Sequence, residues 1–154
     1  MPEEYPQTAQ GQGCAVLAVS QFPGDHTLLA DIFRNTNWKL HAAAGCREAR
    51  RLLEKYPINV IVCDETLSDG AWWNLLDNRP NIRPSVPARV IVASRLADDL
   101  LWSSVLNLGG FDVLAKPFEP AEVTRVVAQA CRHWKSDFDR APRPSKSAFC
   151  GAAG

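Results

Sequence analysis

The sequence predicts an α/β protein in which a five-stranded parallel sheet is doubly wound, with helices on both of its faces. Short apolar runs rich in β-branched residues, typical of buried strands, alternate with longer segments whose apolar residues recur at helical spacing. The turns between them are short, which favours strand–helix–strand units and parallel strands. Because the crossovers of such units are right-handed, the helices cover both faces of the sheet.

Five apolar runs are the predicted strands. In chain order they comprise residues 14–19, 38–43, 58–63, 90–93 and 111–115. The third run is the clearest, because only Asn59 interrupts its apolar residues, as expected of a central strand buried on both faces.

Amphipathic segments between and after these runs are the predicted helices. We expect the first to begin after Gly24 with Asp25 as its N-cap, and the second to end before Pro57. A short helix at Trp72 follows the third strand, and since Trp73 is its neighbour, one of the two indoles is expected at the surface. The last helix has the most regular apolar stripe, formed by Val123, Val126, Val127, Ala130, Cys131 and Trp134.

The length and composition are typical of one globular domain. The chain has 154 residues, 46% of them hydrophobic and 22% charged, and a chain of this size folds without a disulfide or metal. We expect the domain at residues 14–134, between a disordered segment at 1–13 and a flexible tail at 135–154. Both end segments contain proline and glycine and lack apolar periodicity.

Charge and hydropathy argue against several classes of partner. Seventeen basic and seventeen acidic residues give a formal net charge of zero, whereas domains that bind nucleic acid or membrane surfaces carry an excess of Lys and Arg. No apolar run approaches the roughly 20 residues of a membrane span, and the first residues do not resemble a secretory signal. We therefore expect a cytoplasmic protein that binds neither nucleic acid nor membrane.

The cysteines favour a reducing compartment. They are odd in number, scattered and without a C-x-x-C pair, at Cys14, Cys46, Cys63, Cys131 and Cys150. This pattern argues against a disulfide scaffold and against a zinc ribbon.

Dinucleotide-binding, P-loop and serine-hydrolase motifs are also absent from the sequence.

Functional residues are expected at the carboxyl ends of the strands, where doubly wound sheets bind their ligands. Asp64 follows the third predicted strand and Lys116 the fifth, so a carboxylate and an ammonium lie at the same edge. They could pair with each other, or the lysine could bind a phosphoryl group carried by the acid. Taken singly, Asp64 is equally well explained as the cap of the next turn, and Lys116 as a surface lysine.

Two segments resemble the receiver domain of two-component response regulators. Asp64, with Leu-Ser-Asp-Gly at 67–70, resembles the acceptor segment Asp-x-x-Leu-Pro-Asp-Gly, with Ser68 in place of proline. Gly-Gly-Phe-Asp-Val-Leu-Ala-Lys-Pro-Phe at 109–118 resembles the terminal motif Gly-Ala-x-Asp-Tyr-Leu-x-Lys-Pro-Phe. The resemblance covers about residues 14–134 and implies a flavodoxin-like fold with strand order 2-1-3-4-5.

The resemblance also implies a role in phosphorelay signalling. Asp64 would accept the phosphoryl group, Lys116 would contact the acyl phosphate, and Ser94 would donate a hydrogen bond to a phosphoryl oxygen. A one-residue shift in the preceding loop would put Ala93 at the position of that hydroxyl instead. The donor would be a histidine kinase or a phosphotransfer protein, and a downstream protein would receive the signal. Such a domain is a switch and not a conventional enzyme.

The sequence departs from this family at the metal site. Receivers end their first strand with two acidic residues that bind Mg²⁺, whereas Ser20 and Gln21 stand there in this chain. Asp64 is then the one certain metal-binding carboxylate, since we expect Asp25 to cap a helix and Glu65 to point away. Because Mg²⁺ prefers several carboxylate oxygens in octahedral geometry, the predicted Mg²⁺ site is weak or absent.

Because the chain resembles a receiver but lacks the acidic pair of the metal site, the sequence is consistent with two functions. The first is a response regulator receiver that is phosphorylated on Asp64 and signals through a partner protein. The alternative is a degenerate receiver, which is a protein–protein interaction module that works without phosphorylation. A flavodoxin-like ligand-binding domain is a weaker hypothesis, because residues 20–24 make a poor phosphate-binding loop.

Overall fold

Strands and helices alternate along the chain in the computed structural model, which describes residues 13–78 and 85–142. The elements are β1 (Ala15–Val19), α1 (Pro23–Phe33), β2 (Lys39–Ala43), α2 (Cys46–Lys55), β3 (Val60–Asp64), β4 (Thr66–Leu67), β5 (Gly70–Ala71), a 3₁₀ helix (Trp72–Leu75), β6 (Arg89–Ser94), α3 (Asp99–Leu108), β7 (Asp112–Ala115) and α4 (Pro120–Arg140). The predicted disordered segment lies outside the described residues, apart from Gly13, and so does the tail from residue 143 onward.

The main sheet has five parallel strands in the order β2-β1-β3-β6-β7. This confirms the predicted doubly wound sheet and its order 2-1-3-4-5. The short antiparallel pair of β4 and β5 is a separate feature that the sequence does not predict. Because the five main strands are parallel, their carboxyl ends share one edge of the sheet.

Each face of the sheet carries its own apolar core. α2, α3 and the 3₁₀ helix cover one face, where Ile61 of β3 is buried. α1 and α4 cover the other face, where Val127 of α4 lies in the same apolar cluster as Val60 and Val62 of β3. Ile61 and Val127 are both fully buried, as their positions in the apolar patterns predict, and burying a side chain of this size contributes about 1.5–3 kcal/mol.

Only one of the two adjacent tryptophans is in the core. Trp72 is 2% exposed and Trp73 is 54% exposed, which confirms the expectation that one indole lies at the surface. The two rings meet edge to face with their centroids 5.9 Å apart.

The start of α1 differs from the prediction. The helix begins at Pro23, whose fixed φ suits the first helical turn, and Phe22 occupies the N-cap position without a side-chain bond. Asp25 therefore lies within the first turn. The prediction that it caps the helix is wrong. Its carboxylate reaches the carboxyl edge of the sheet instead.

α4 continues through Arg140, beyond the predicted domain end at residue 134. The rings of Trp134 and Phe138 stack with their centroids 4.9 Å apart, both side chains are buried, and Asp137 pairs with Arg89 of β6. Residues 135–140 therefore belong to the packed structure and not to a tail. None of the helices in the described ranges, α4 included, is both long and apolar enough to cross a membrane.

Cys14 and Cys131 form a disulfide between the residue before β1 and the middle of α4. The sequence argues against disulfides, so this bond is a correction to that expectation. The two cysteines are 117 residues apart in the chain, and only the packing of α4 on the sheet brings them together. Cys46 and Cys63 are buried free thiols, and Cys150 lies outside the described residues.

Candidate functional site

Asp64 is a buried carboxylate at the carboxyl end of the central strand β3. The residue is 6% exposed. Its Oδ1 lies 2.6 Å from Nζ of Lys116, and its Oδ2 lies 2.8 Å from the donating hydroxyl of Ser20. A buried acid is tolerated when it is paired and hydrogen-bonded in this way, so Lys116 and Ser20 are the contacts that accommodate Asp64 in the interior.

Lys116 bridges two acids. It follows β7, and its backbone N–H donates to the carbonyl of Ser94, which extends the ladder between β7 and β6 past the end of the strand. The peptide bond to Pro117 is cis. The Lys116 ammonium lies 2.6 Å from Asp64 Oδ1 and 2.6 Å from Asp25 Oδ2. The lysine predicted from the strand-end pattern is therefore in direct contact with the predicted acid.

The charge of Lys116 is stabilised by these partners. Burial by itself lowers the pKa of the amine, because it penalises the charged form. The hydrogen bonds and the negative charges of Asp25 and Asp64 outweigh that effect, so the pKa of Lys116 is raised above its ordinary value. At neutral pH the site thus contains a permanent cation.

Asp25 is a site residue that the sequence pattern assigns elsewhere. From the first turn of α1 its Oδ2 contacts both Lys116 Nζ and, at 2.9 Å, the hydroxyl of Ser20. The available signal was the chain topology, since the first turn of a helix that follows β1 lies over the carboxyl edge of the sheet.

Ser20 links the two acids from the end of β1. It is 5% exposed, its Oγ lies within 2.9 Å of both carboxylates, and it accepts a hydrogen bond from the backbone N–H of Phe22. One hydroxyl carries one hydrogen and donates to one acid at a time. Gln21, the next residue, is exposed, so only Ser20 of this pair faces Asp64.

Ser94 ends β6 beside Asp64 but is bonded to another residue. Its hydroxyl donates to Glu65 Oε1 at 2.8 Å and accepts from the N–H of Leu96. Ala93 lies opposite Asp64 in the register and packs in the core beneath α1 and α4. Ser94 therefore supplies the hydroxyl at this strand end, and in this arrangement Glu65 holds it.

The described residues do not fit the Mg²⁺ site that the resemblance implies. In the described ranges no three His, Cys, Asp or Glu side chains come together in a group that could hold a metal ion. Asp25 and Asp64 are brought together, but Lys116 Nζ lies 2.6 Å from an oxygen of each. The ammonium thus neutralises the carboxylate charge that a divalent cation would need.

Asp69 belongs to the Leu-Ser-Asp-Gly segment between β4 and β5. Its side chain contacts the first residues of α2 and not Asp64. Its two carboxylate oxygens accept hydrogen bonds from the backbone N–H groups of Cys46 and Arg47. These bonds lower the pKa of Asp69. A side chain at Gly45 would bring its Cβ within 2.6 Å of Asp69 Oδ1. Asp69 therefore joins the loop between β4 and β5 to the first turn of α2.

Comparison with known proteins gives one curated relative. No protein-family model matches the chain. The response regulator protein PilR of Pseudomonas aeruginosa is 28% identical over 126 residues, which cover 82% of this chain. The chain spans 28% of the length of PilR.

Solved structures give the clearest comparison for the fold. The signal receiver domain of an HD domain-containing protein from Pseudomonas fluorescens Pf-5 matches with a TM-score of 0.71 and 21% identity, over 84% of this chain and 94% of that one. A two-component response regulator from Clostridium difficile matches with a TM-score of 0.66 and 22% identity, over 77% and 96% of the two chains. As the two sequence motifs predict, the chain has the fold of response regulator receiver domains.

Proposed function

We propose that the chain is the receiver of a two-component phosphorelay, which accepts a phosphoryl group on Asp64 and signals through a partner protein. The observation that carries this proposal is the pair formed by Asp64 and Lys116, with 2.6 Å between Oδ1 and Nζ at the carboxyl edge of the sheet. The similarity to PilR supports it. The donor would be a cytoplasmic histidine kinase or phosphotransfer protein, and the domain would act as a switch and not as an enzyme.

The proposed transfer uses Asp64 as the nucleophile. One of its oxygens forms a bond to phosphorus while the bond between phosphorus and the donor's histidine nitrogen breaks, and the imidazole leaves with the electron pair. Negative charge on the phosphoryl oxygens must be neutralised during this step. Lys116 is in contact with Asp64 and would supply the neutralising positive charge. The Ser94 hydroxyl, which donates to Glu65, would donate to a phosphoryl oxygen instead.

Asp25 gives the proposed switch a route into α1. In the unphosphorylated chain Lys116 is shared between Asp25 and Asp64. A phosphoryl group on Asp64 adds negative charge, which attracts Lys116 and repels the carboxylate of Asp25. We expect Lys116 to exchange Asp25 for a phosphoryl oxygen, so that the first turn of α1 moves when Asp64 is phosphorylated.

Phosphoramidate tests this proposal, because its P–N bond imitates phosphohistidine. The full chain is incubated with the reagent, and the intact mass is followed over time. We expect the mass of one added phosphoryl group in the wild type and in Asp69→Asn, whose acid caps α2, and none in Asp64→Asn. An unmodified wild type, or equal modification of Asp64→Asn, would overturn the proposal and favour the phosphorylation-independent interaction module.

A further inference from the structure

We propose that Cys14 and Cys131 form a reversible oxidation site, whose disulfide fastens α4 to the sheet under oxidising conditions. The bond joins the residue before β1 to a helix 117 residues later, with the two Cα atoms 6.3 Å apart. Cys14 lies in the apolar core under α1 and α4 and Cys131 packs against that core, so the folded structure itself brings the two sulfur atoms together. This proposal does not depend on phosphorylation of Asp64.

The exposure of the two cysteines gives the order of the reaction. Cys14 is 4% exposed, whereas Cys131 is only partly buried, so Cys131 meets a dissolved oxidant first. Its thiolate attacks a small disulfide such as oxidised glutathione, which forms a mixed disulfide and releases one glutathione thiolate. The Cys14 thiolate then attacks the Cys131 sulfur and releases the second glutathione. The two thiol protons end on the two released glutathione molecules, and the two electrons lost by the cysteines reduce the disulfide of the reagent.

The other described thiols are poor competitors for this reaction. Cys46 and Cys63 are both buried. Burial raises the pKa of each thiol, so the reactive thiolate form is scarce at neutral pH. Oxidation is therefore expected at the pair formed by Cys14 and Cys131.

The position of the bond predicts what oxidation changes. Cys14 precedes β1, at the amino edge of the sheet, whereas Asp64 and Lys116 lie at the carboxyl edge. The disulfide also closes a loop that contains all five strands of the main sheet, and closing a long loop restricts the unfolded chain strongly. Oxidation should therefore raise the stability of the domain without altering the contacts of Asp64. In a reducing cytoplasm the bond would be open, and oxidative conditions would close it.

The test compares the full chain in oxidised and in reduced glutathione. Intact mass and peptide mapping without reductant report the bond, and thermal unfolding reports its effect. We expect the oxidised wild type to lose two hydrogens, to yield a peptide pair that joins Cys14 to Cys131, and to unfold about 10 °C higher than the reduced form. Cys131→Ser should lose both effects, while Cys46→Ser and Cys150→Ser should keep them.

Two results would overturn the proposal. One is a wild type that forms no bond between Cys14 and Cys131 in oxidised glutathione. The other is equal unfolding temperatures for the oxidised and reduced wild type. Both measurements use the wild type alone, so they hold even if Cys131→Ser does not fold. Cys14→Ala is a second variant, and its unfolding temperature should be the same in oxidised and in reduced glutathione.

Discussion

Oδ2 of Asp25 lies 2.6 Å from Nζ of Lys116, so the first helix contributes an acid to the same ammonium that Asp64 contacts. The two acids are 39 positions apart in the chain and approach each other only because α1 starts above the carboxyl edge of the sheet. Asp25 therefore competes for the cation on which the proposed phosphoryl transfer depends.

Replacing Asp25 with Asn should accelerate phosphorylation of Asp64 by phosphoramidate. The change removes a negative charge near the incoming phosphoryl group and leaves Lys116 paired with Asp64. A charge about 5 Å away contributes about 1–3 kcal/mol at an effective dielectric of 20–80, which corresponds to an increase of roughly 5- to 150-fold in rate. Asp31→Asn, on the exposed side of α1 and paired with Arg34, is the matched control and should leave the rate unchanged. A rate for Asp25→Asn equal to or below that of the wild type would refute the competition.

Replacing Lys116 with Met should destabilise the folded chain. The variant leaves Asp25 and Asp64 side by side without their cation, and removing one partner of a buried ion pair typically costs about 3–5 kcal/mol. Urea unfolding at neutral pH measures the difference. A free energy of unfolding within about 1 kcal/mol of the wild type would mean that the ion pairs contribute little net stability.

The contribution of Lys116 should also depend on pH in a defined direction. The pKa of Lys116 is raised in the folded chain, so its stabilising effect is complete below the ordinary lysine pKa of about 10.4. That effect is lost as the pH rises through the higher pKa of the folded state. The difference in unfolding free energy between the wild type and Lys116→Met should therefore be constant near neutral pH and shrink at strongly alkaline pH. A difference that shrinks between pH 6 and about 9 would contradict this assignment.

Mg²⁺ should bind weakly to the wild type and more tightly to Ser20→Asp. The substitution adds a carboxylate next to Asp64, and one such charge contributes about 1–4 kcal/mol to cation binding, which is roughly fivefold or more in affinity. Gln21→Asp adds the same charge on the exposed neighbour and should have a much smaller effect. NMR shifts during a Mg²⁺ titration measure the dissociation constant of the wild type, of Ser20→Asp and of Gln21→Asp. Tight binding by the wild type would show that Asp25 and Asp64 exchange the Lys116 ammonium for the metal ion.

Introducing a charge at Val127 should disrupt the core beneath α1 and α4. Val127 is fully buried on α4, and an unpaired carboxylate there is desolvated, so Val127→Asp should lower the free energy of unfolding by several kcal/mol. Ser136→Asp, at an exposed position of the same helix, should change it by about 0.5 kcal/mol or less. A melting temperature for Val127→Asp close to that of the wild type would mean that α4 packs through another face.

Local patterns in the sequence were sufficient to predict the fold. Apolar runs and helical stripes are set by which residues face the core, and this is why Ile61 and Val127 are buried where the patterns require. Asp64 and Lys116 were found in the same way, because a polar residue directly after a buried strand lies at a known edge of a parallel sheet. The continuation of α4 was also present in the spacing of Trp134 and Phe138, but the polar residues between them obscured it.

Features that depend on tertiary geometry were not predicted. The reach of Asp25 depends on the exact start of α1, because moving the N-cap by three residues, from Asp25 to Phe22, places Asp25 inside the first turn, from which it contacts Lys116. The disulfide depends on how α4 lies across β1, and a separation of 117 residues leaves no local pattern for it. The partner of Ser94 was missed because the side chain of Glu65 turns back toward the end of β6.

Locating the phosphoryl group on the chain tests whether Asp64 is the acceptor. Borohydride reduces an acyl phosphate on aspartate to homoserine, so treatment after exposure to a phosphohistidine-containing phosphotransfer protein marks the acceptor for peptide mass spectrometry. We expect homoserine at position 64 in the wild type, at a higher yield in Asp25→Asn. Homoserine at another aspartate, or at none while the donor is still phosphorylated, would contradict it.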